Sequence, residues 1–124
     1  MNIIKASFCT VLSFSALLQT TKAIAAPFEP SIKTFTEYCQ QKSTLPKETK
    51  HTVEVLLKKA GTQDCQQANQ KLRSLTELDI SHSKVSNLQP LANLTNLTNL
   101  NLQHNQISDV KPLANLTNLT NLEL

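Results

Sequence analysis

The chain has 124 residues, of which 40% are hydrophobic, 17% charged and 4% aromatic, with a formal net charge of +3. That is room for one modest domain, which argues against a multidomain enzyme. The charge is too mixed for a disordered acidic or basic tail, and no apolar run approaches the roughly 20 residues that span a bilayer.

The first 25 residues read as a secretory signal: Lys5 carries the positive charge, an apolar run extends from Ala6 to Leu18, and Ala23-Ile24-Ala25 supplies the small residues of a cleavage site. Cleavage is expected after Ala25, because one residue later Pro27 would follow the scissile bond, where a rigid ring without an N–H suits a peptidase poorly. Removing this segment takes Lys5, Lys22 and Cys9 with it, leaving ten basic against nine acidic residues and an even cysteine pair, Cys39 and Cys65. The apparent basicity therefore belongs mostly to the export signal. The expected location is secreted, periplasmic or cell-surface, where disulfides are permitted.

Residues 26–74 hold all three aromatics of the mature chain and eight of its ten basic residues. Ile32, Phe35 and Cys39 fall at helical spacing. A second helix begins near Pro46 and places Val53, Leu56, Leu57 and Ala60 on one face, with Lys58 and Lys59 in its last turn and Gly61 at its end. A third carries Cys65, Ala68 and Leu72 on one stripe, with Thr62 as its expected N-cap. Helices one and three both carry a cysteine on the apolar side, which predicts a Cys39–Cys65 disulfide; a metal or redox pair would need closer spacing or more ligands.

Residues 75–124 repeat with a period of 22, aligning Leu75, Leu97 and Leu119, then Leu78, Leu100 and Leu122, then Ile80, Leu102 and Leu124. Between 75–96 and 97–118, 12 of 22 positions are identical, the mark of a stacked array. In Leu100-x-Leu102 the period is two, so both leucines face one side of a strand while Asn99, Asn101 and Gln103 face the other. Leu91, Leu94 and Leu97 return every three residues, the rise of a 3₁₀ or irregular arm, and Pro90 and Pro112 fix φ at its start. Asn105 sits where its amide can bond the backbone of neighbouring turns, with Ser83 a shorter substitute one row earlier. An amphipathic helix is disfavoured by the Asn and Thr between the leucines and by the two regularly placed prolines.

The row Leu97-x-x-Leu100-x-Leu102-x-x-Asn105-x-Ile107 resembles the leucine-rich repeat, and its length, with Pro112 after the turn, is similar to the internalin type. The resemblance implies an α/β solenoid of short parallel strands with 3₁₀ or irregular return arms. Two full repeats and one partial one follow a three-helix N-terminal cap over residues 26–74 that closes the open end of the core. Helical caps with a cysteine pair are similar to those of secreted bacterial leucine-rich repeat proteins. Because the third row stops at Leu124 with Leu119, Leu122 and Leu124 on an open edge, the expectation is a piece of a longer array, with end-to-end self-association as the alternative for this edge.

The resemblance also implies ligand binding on the concave strand face, comprising Glu77, Asp79, Ser81, Asn99, Asn101, Gln103, Asn121 and Glu123. Three strands about 4.8 Å apart and five residues long give an area of roughly 230 Å². A standard interface takes about 800 Å² per partner, with aromatic or Arg anchors that this face lacks. The expected function is therefore a non-enzymatic secreted protein-interaction module with an unidentified protein ligand and no cofactor, and the alternative is a self-associating structural or adhesive envelope component. A remoter alternative is metal-dependent activity at His82 and His104, which stand 22 apart and so stack on adjacent coils; duplication of a repeat explains the pair without a metal, and no metal is expected.

No serine elbow, Gly-rich phosphate loop or spare cysteine is present, so no catalytic residue is assigned. Glu77 and Asp79 lie on an open sheet with nothing to desolvate either, so they read as a solvated acidic surface. Nucleic acid is disfavoured because the repeats carry Lys84 and Lys111 against Glu77, Asp79, Asp109 and Glu123, with no aromatic to stack on a base. After signal removal, no membrane association is expected. Four Asn-x-Thr sequons, at Asn93, Asn96, Asn115 and Asn118, read as repeat framework first.

Overall fold

The computed structural model describes residues 33–124. The expected signal segment, its expected cleavage site and Ile32 lie outside them. Helix α1 spans Phe35–Gln40, and its N-cap Thr34 forms a reciprocal capping box: the Thr34 hydroxyl accepts from the Glu37 backbone N–H while the Glu37 carboxylate accepts from the Thr34 N–H. The Thr34 backbone N–H, and after it the Thr34 hydroxyl, which also donates to this carboxylate at 2.9 Å, holds the Glu37 carboxyl below its ordinary range.

A 3₁₀ turn at Lys42–Thr44 leads to α2, Lys47–Ala60, with Pro46 immediately before it. The helix ends where expected, at Gly61, whose φ of 72° lets its N–H reach the Leu57 and Lys58 carbonyls while the Thr62 N–H also reaches Leu57. Helix α3 covers Cys65–Ser74. Its N-cap is Asp64 and not Thr62: the Asp64 carboxylate accepts from the Gln67 N–H at 2.8 Å, and Thr62 acts one step earlier by accepting from the Asp64 N–H at 3.1 Å. Both residues are good caps, and the position of the first helical turn decides between them.

Three parallel strands follow: β1 (Glu77–Asp79), β2 (Asn99–Asn101) and β3 (Asn121–Glu123), in the sheet order β1-β2-β3. Leu78, Leu100 and Leu122 lie in register, as the 22-residue columns require. The regular strands are three residues long and not five, although backbone bonds from Ile80 N–H to Asn101 and from His82 N–H to Gln103 carry the pairing between the first two coils further. The return arms contain 3₁₀ turns at Gln89–Leu91 and Lys111–Asn115, each with its proline in the first turn. The side chains of Asn87 and Asp109 accept from the Gln89 and Lys111 N–H groups at 2.8 and 2.9 Å, so each arm is opened by the same Asx turn.

One continuous core runs from Phe35 through Leu57 and Leu72 to the repeat columns Ile80, Leu91, Leu94, Leu97, Leu100 and Leu102, all buried. The helices also complete the first coil's polar groups. The Thr52 hydroxyl donates to the Asn87 carbonyl at 2.7 Å, the Asn87 amide donates to the Thr49 hydroxyl at 3.0 Å, and the Tyr38 hydroxyl donates to the Gln89 side-chain carbonyl at 3.0 Å. Thr49 and Thr52 are buried for this reason, beside the apolar face that the spacing identified.

A disulfide joins Cys39 of α1 to Cys65 at the start of α3, 26 residues apart. Helix α1 is too short to persist alone, so the link holds Phe35 and Tyr38 over the core. A Cys39→Ser, Cys65→Ser double variant is expected to lose about 3 to 4 kcal/mol of unfolding free energy, as the loop-closure entropy of the unfolded chain returns. Urea denaturation of both proteins measures it; equal midpoints would show that the bond constrains nothing.

Candidate functional site

The leucine alternation fixes the face. Leu78 and Leu100 point inward and are buried, so their neighbours project outward as two columns, Glu77-Asn99-Asn121 and Asp79-Asn101-Glu123. These six, with the backbone-level leucines 78 and 100, line one shallow open depression. Ser81 and Gln103, expected on the same face, lie past the strand ends. Their backbone N–H groups donate to the side chains of Asp79 and Asn101 at 2.9 and 3.0 Å, so the second column doubles as a turn former. The Asn99 amide donates to the Glu77 carboxylate at 3.3 Å, a bond between adjacent coils.

The Ser81 N–H, and after it the Ser81 hydroxyl, holds the Asp79 carboxyl below its ordinary range. A lowered carboxyl contributes its stability above the unfolded pKa and loses it as pH falls through the folded one. Asp79 thus keeps both its charge and its turn into mildly acid solution.

His82 and His104 stack with ring centroids 4.2 Å apart and an interplanar angle of 17°. Both sit at positive φ, 55° and 57°, as does Lys84 at 58°. Near-parallel stacked rings keep their in-plane nitrogen lone pairs from converging on a shared point. Among the described residues, no group of three His, Cys, Asp or Glu could hold a metal.

Beneath the turn, the Asn105 side chain ties coil to coil. Its carbonyl accepts from the Ser83 and Val85 N–H groups at 3.1 and 2.9 Å, and its amide donates to the Ile80 and Leu102 carbonyls at 3.0 and 2.8 Å. Ser83 is too short for this role, and its own hydroxyl reaches only the Ser81 carbonyl, at 3.2 Å. A helix residue compensates: His51 of α2 meets the Ser83 carbonyl at 2.7 Å.

Two further columns tie layer to layer through bonds that the sequence did not specify. The Thr98 and Thr120 hydroxyls donate to the Thr76 and Thr98 carbonyls of the preceding coil at 3.1 and 3.2 Å, and the Asn96 and Asn118 amides donate to the Arg73 and Thr95 carbonyls at 2.7 and 2.8 Å. The signal was present in the repeated Asn-Leu-Thr triplets, but the same residues also suit an exposed loop.

Replacing Asn105 by Ala strands two backbone donors and two acceptors and is expected to cost about 3 kcal/mol, against about 0.5 kcal/mol for Ser83→Ala. Thermal unfolding of the two variants checks this; equal losses would remove Asn105 from its role.

A family profile described as "Leucine Rich repeats (2 copies)" matches residues 73–115. Among solved structures, an internalin (inlF) from Listeria monocytogenes str. 4b F2365 is similar at 34% sequence identity with a TM-score of 0.51, over 60% of this chain and 22% of that one. The chain thus spans about a fifth of that internalin's length. No curated protein matches the sequence. The match lies on the segment where β1 and β2, their turns and the proline-started arms repeat, so the unit that coils through residues 73–115 is a leucine-rich repeat.

Proposed function

We propose that this chain is a secreted, non-enzymatic protein-interaction module that binds its ligand on the outward face of β1–β3. The observation that carries this reading is the two ordered columns of polar side chains on an open sheet that no other described element covers. Periodic hydrogen bonds hold their backbone rigid, so a partner would meet a preformed surface at little ordering cost. On this reading residues 1–25 leave at export, 26–74 form the cap of a solenoid, and 75–124 present Glu77, Asp79, Ser81, Asn99, Asn101, Gln103, Asn121 and Glu123 to a protein ligand. The Cys39–Cys65 bond suits an oxidising compartment. The similarity to an internalin supports a surface or secreted protein.

Photo-crosslinking tests the proposal. A benzoylphenylalanine at position 101, on the face, is compared with the same probe at position 108, outside the strands. The expected result is a discrete adduct from position 101 and little or none from position 108. Adducts from position 108 alone would move the interface off the strands.

A second reading, self-association, draws on Val110, Leu122 and Leu124, which are 46%, 38% and 64% exposed beside β3, the last of the described strands. It expects the sedimentation coefficient to rise with protein concentration and to stop rising in a Leu122→Lys variant.

A further inference from the structure

The four Asn-x-Thr sequons look equivalent in the sequence, but the fold separates them. The Asn93, Asn96 and Asn118 side-chain amides donate to the carbonyls of Lys33, Arg73 and Thr95 at 2.7, 2.7 and 2.8 Å. Each bond ties a coil to the layer before it, and each uses the nitrogen that a glycan would occupy. Asn115 differs. It occupies the column of Asn93, but the layer before it is another return arm and not the start of α1, and among the described residues its amide donates to no carbonyl as Asn93 does to that of Lys33. Its side chain is exposed at the end of the second 3₁₀ turn, Thr117 is exposed beside it, and neither lies on the strand face.

From this we infer that Asn115 is an N-glycan acceptor site of the folded chain, and that Asn93, Asn96 and Asn118 are closed to the same reaction. The co-reactant is a lipid-linked oligosaccharide pyrophosphate, delivered by an oligosaccharyltransferase in the exporting compartment. The Asn115 Nδ2 attacks the anomeric carbon, the C–N bond forms as the C–O bond to pyrophosphate breaks, the lipid pyrophosphate departs, and one amide proton passes to a base of the transferase. The Leu116 side chain, 4% exposed, must lift for the sequon to enter an active site. That opening falls in the return arm of the second coil, just before β3, where Leu122 is 38% exposed. A glycan at Asn115 would project from the return arm and leave the strand columns uncovered, whereas one at Asn96 or Asn118 would replace an inter-coil bond.

The test treats the oxidised, folded chain and the reduced, urea-unfolded chain, refreshed into dilute urea, with a single-subunit oligosaccharyltransferase and its lipid-linked donor, and maps the products by peptide mass spectrometry. Expected is modification of all four sequons in the unfolded chain and an occupancy at Asn115 at least about tenfold above the other three in the folded chain. A folded chain modified at Asn96 or Asn118 as readily as at Asn115 overturns the inference, as does one left bare at Asn115 under conditions that modify the unfolded chain there. A second measurement needs no transferase: Asn96→Ala and Asn118→Ala should each lower Tm by about 4 °C or more, and Asn115→Ala by less than about 1 °C. An equal loss at Asn115 would show its amide to be engaged in the fold and overturn the inference by itself.

Discussion

A coil of 22 residues with a strand of three cannot bury its leucines within itself; it has a dry side only when another layer lies against it. Every other feature of this structure follows from that constraint. Leu78 and Leu100 stack because the coils share one register, and the register is kept by side chains that bond the backbone of the neighbouring layer, Asn105 above all. The energetic logic is that of a one-dimensional array, in which stability accumulates at interfaces between layers more than within them.

The helical segment meets the same requirement at the first layer. It supplies apolar contact through Phe35, Leu56, Leu57 and Leu72, and it also supplies the hydrogen bonds that a preceding coil would have given. Thr49 and Thr52 answer Asn87, Tyr38 answers Gln89, and His51 answers Ser83 where the repeat lacks its asparagine. A polar group left open at this layer would cost as much as a lost leucine contact, and the burial of two threonines on an otherwise apolar helix face is the trace of that demand.

The outward face inherits its order from the interior. Because alternation alone decides which side chains emerge, the two surface columns are as regular as the leucines beneath them, and their chemistry can vary without disturbing the core. Acidic groups at Glu77, Asp79 and Glu123 therefore stand among amides on a surface whose backbone is already fixed. The leucine-rich repeat assigned to residues 73–115 explains the shape of this surface, while the identity of whatever meets it depends on those few variable side chains.

The sequence alone determined the period, the inward leucines, the proline-started arms, the helix ending at Gly61 and the two cysteines, because each depends on local spacing or on a residue with one dominant conformational preference. Three things were decided only by the tertiary structure. The cap of α3 moved from Thr62 to Asp64 because two adequate caps compete and packing sets the helix start. Ser81 and Gln103 lie past the three-residue strands, their backbone N–H groups held by the Asp79 and Asn101 side chains. His82, Lys84 and His104 adopt positive φ without the glycine or asparagine that would have announced it, since the adjoining coil fixes the turn, and the partners of Asn93, Asn96 and Asn118 are carbonyls that come within reach only when one layer is laid upon another.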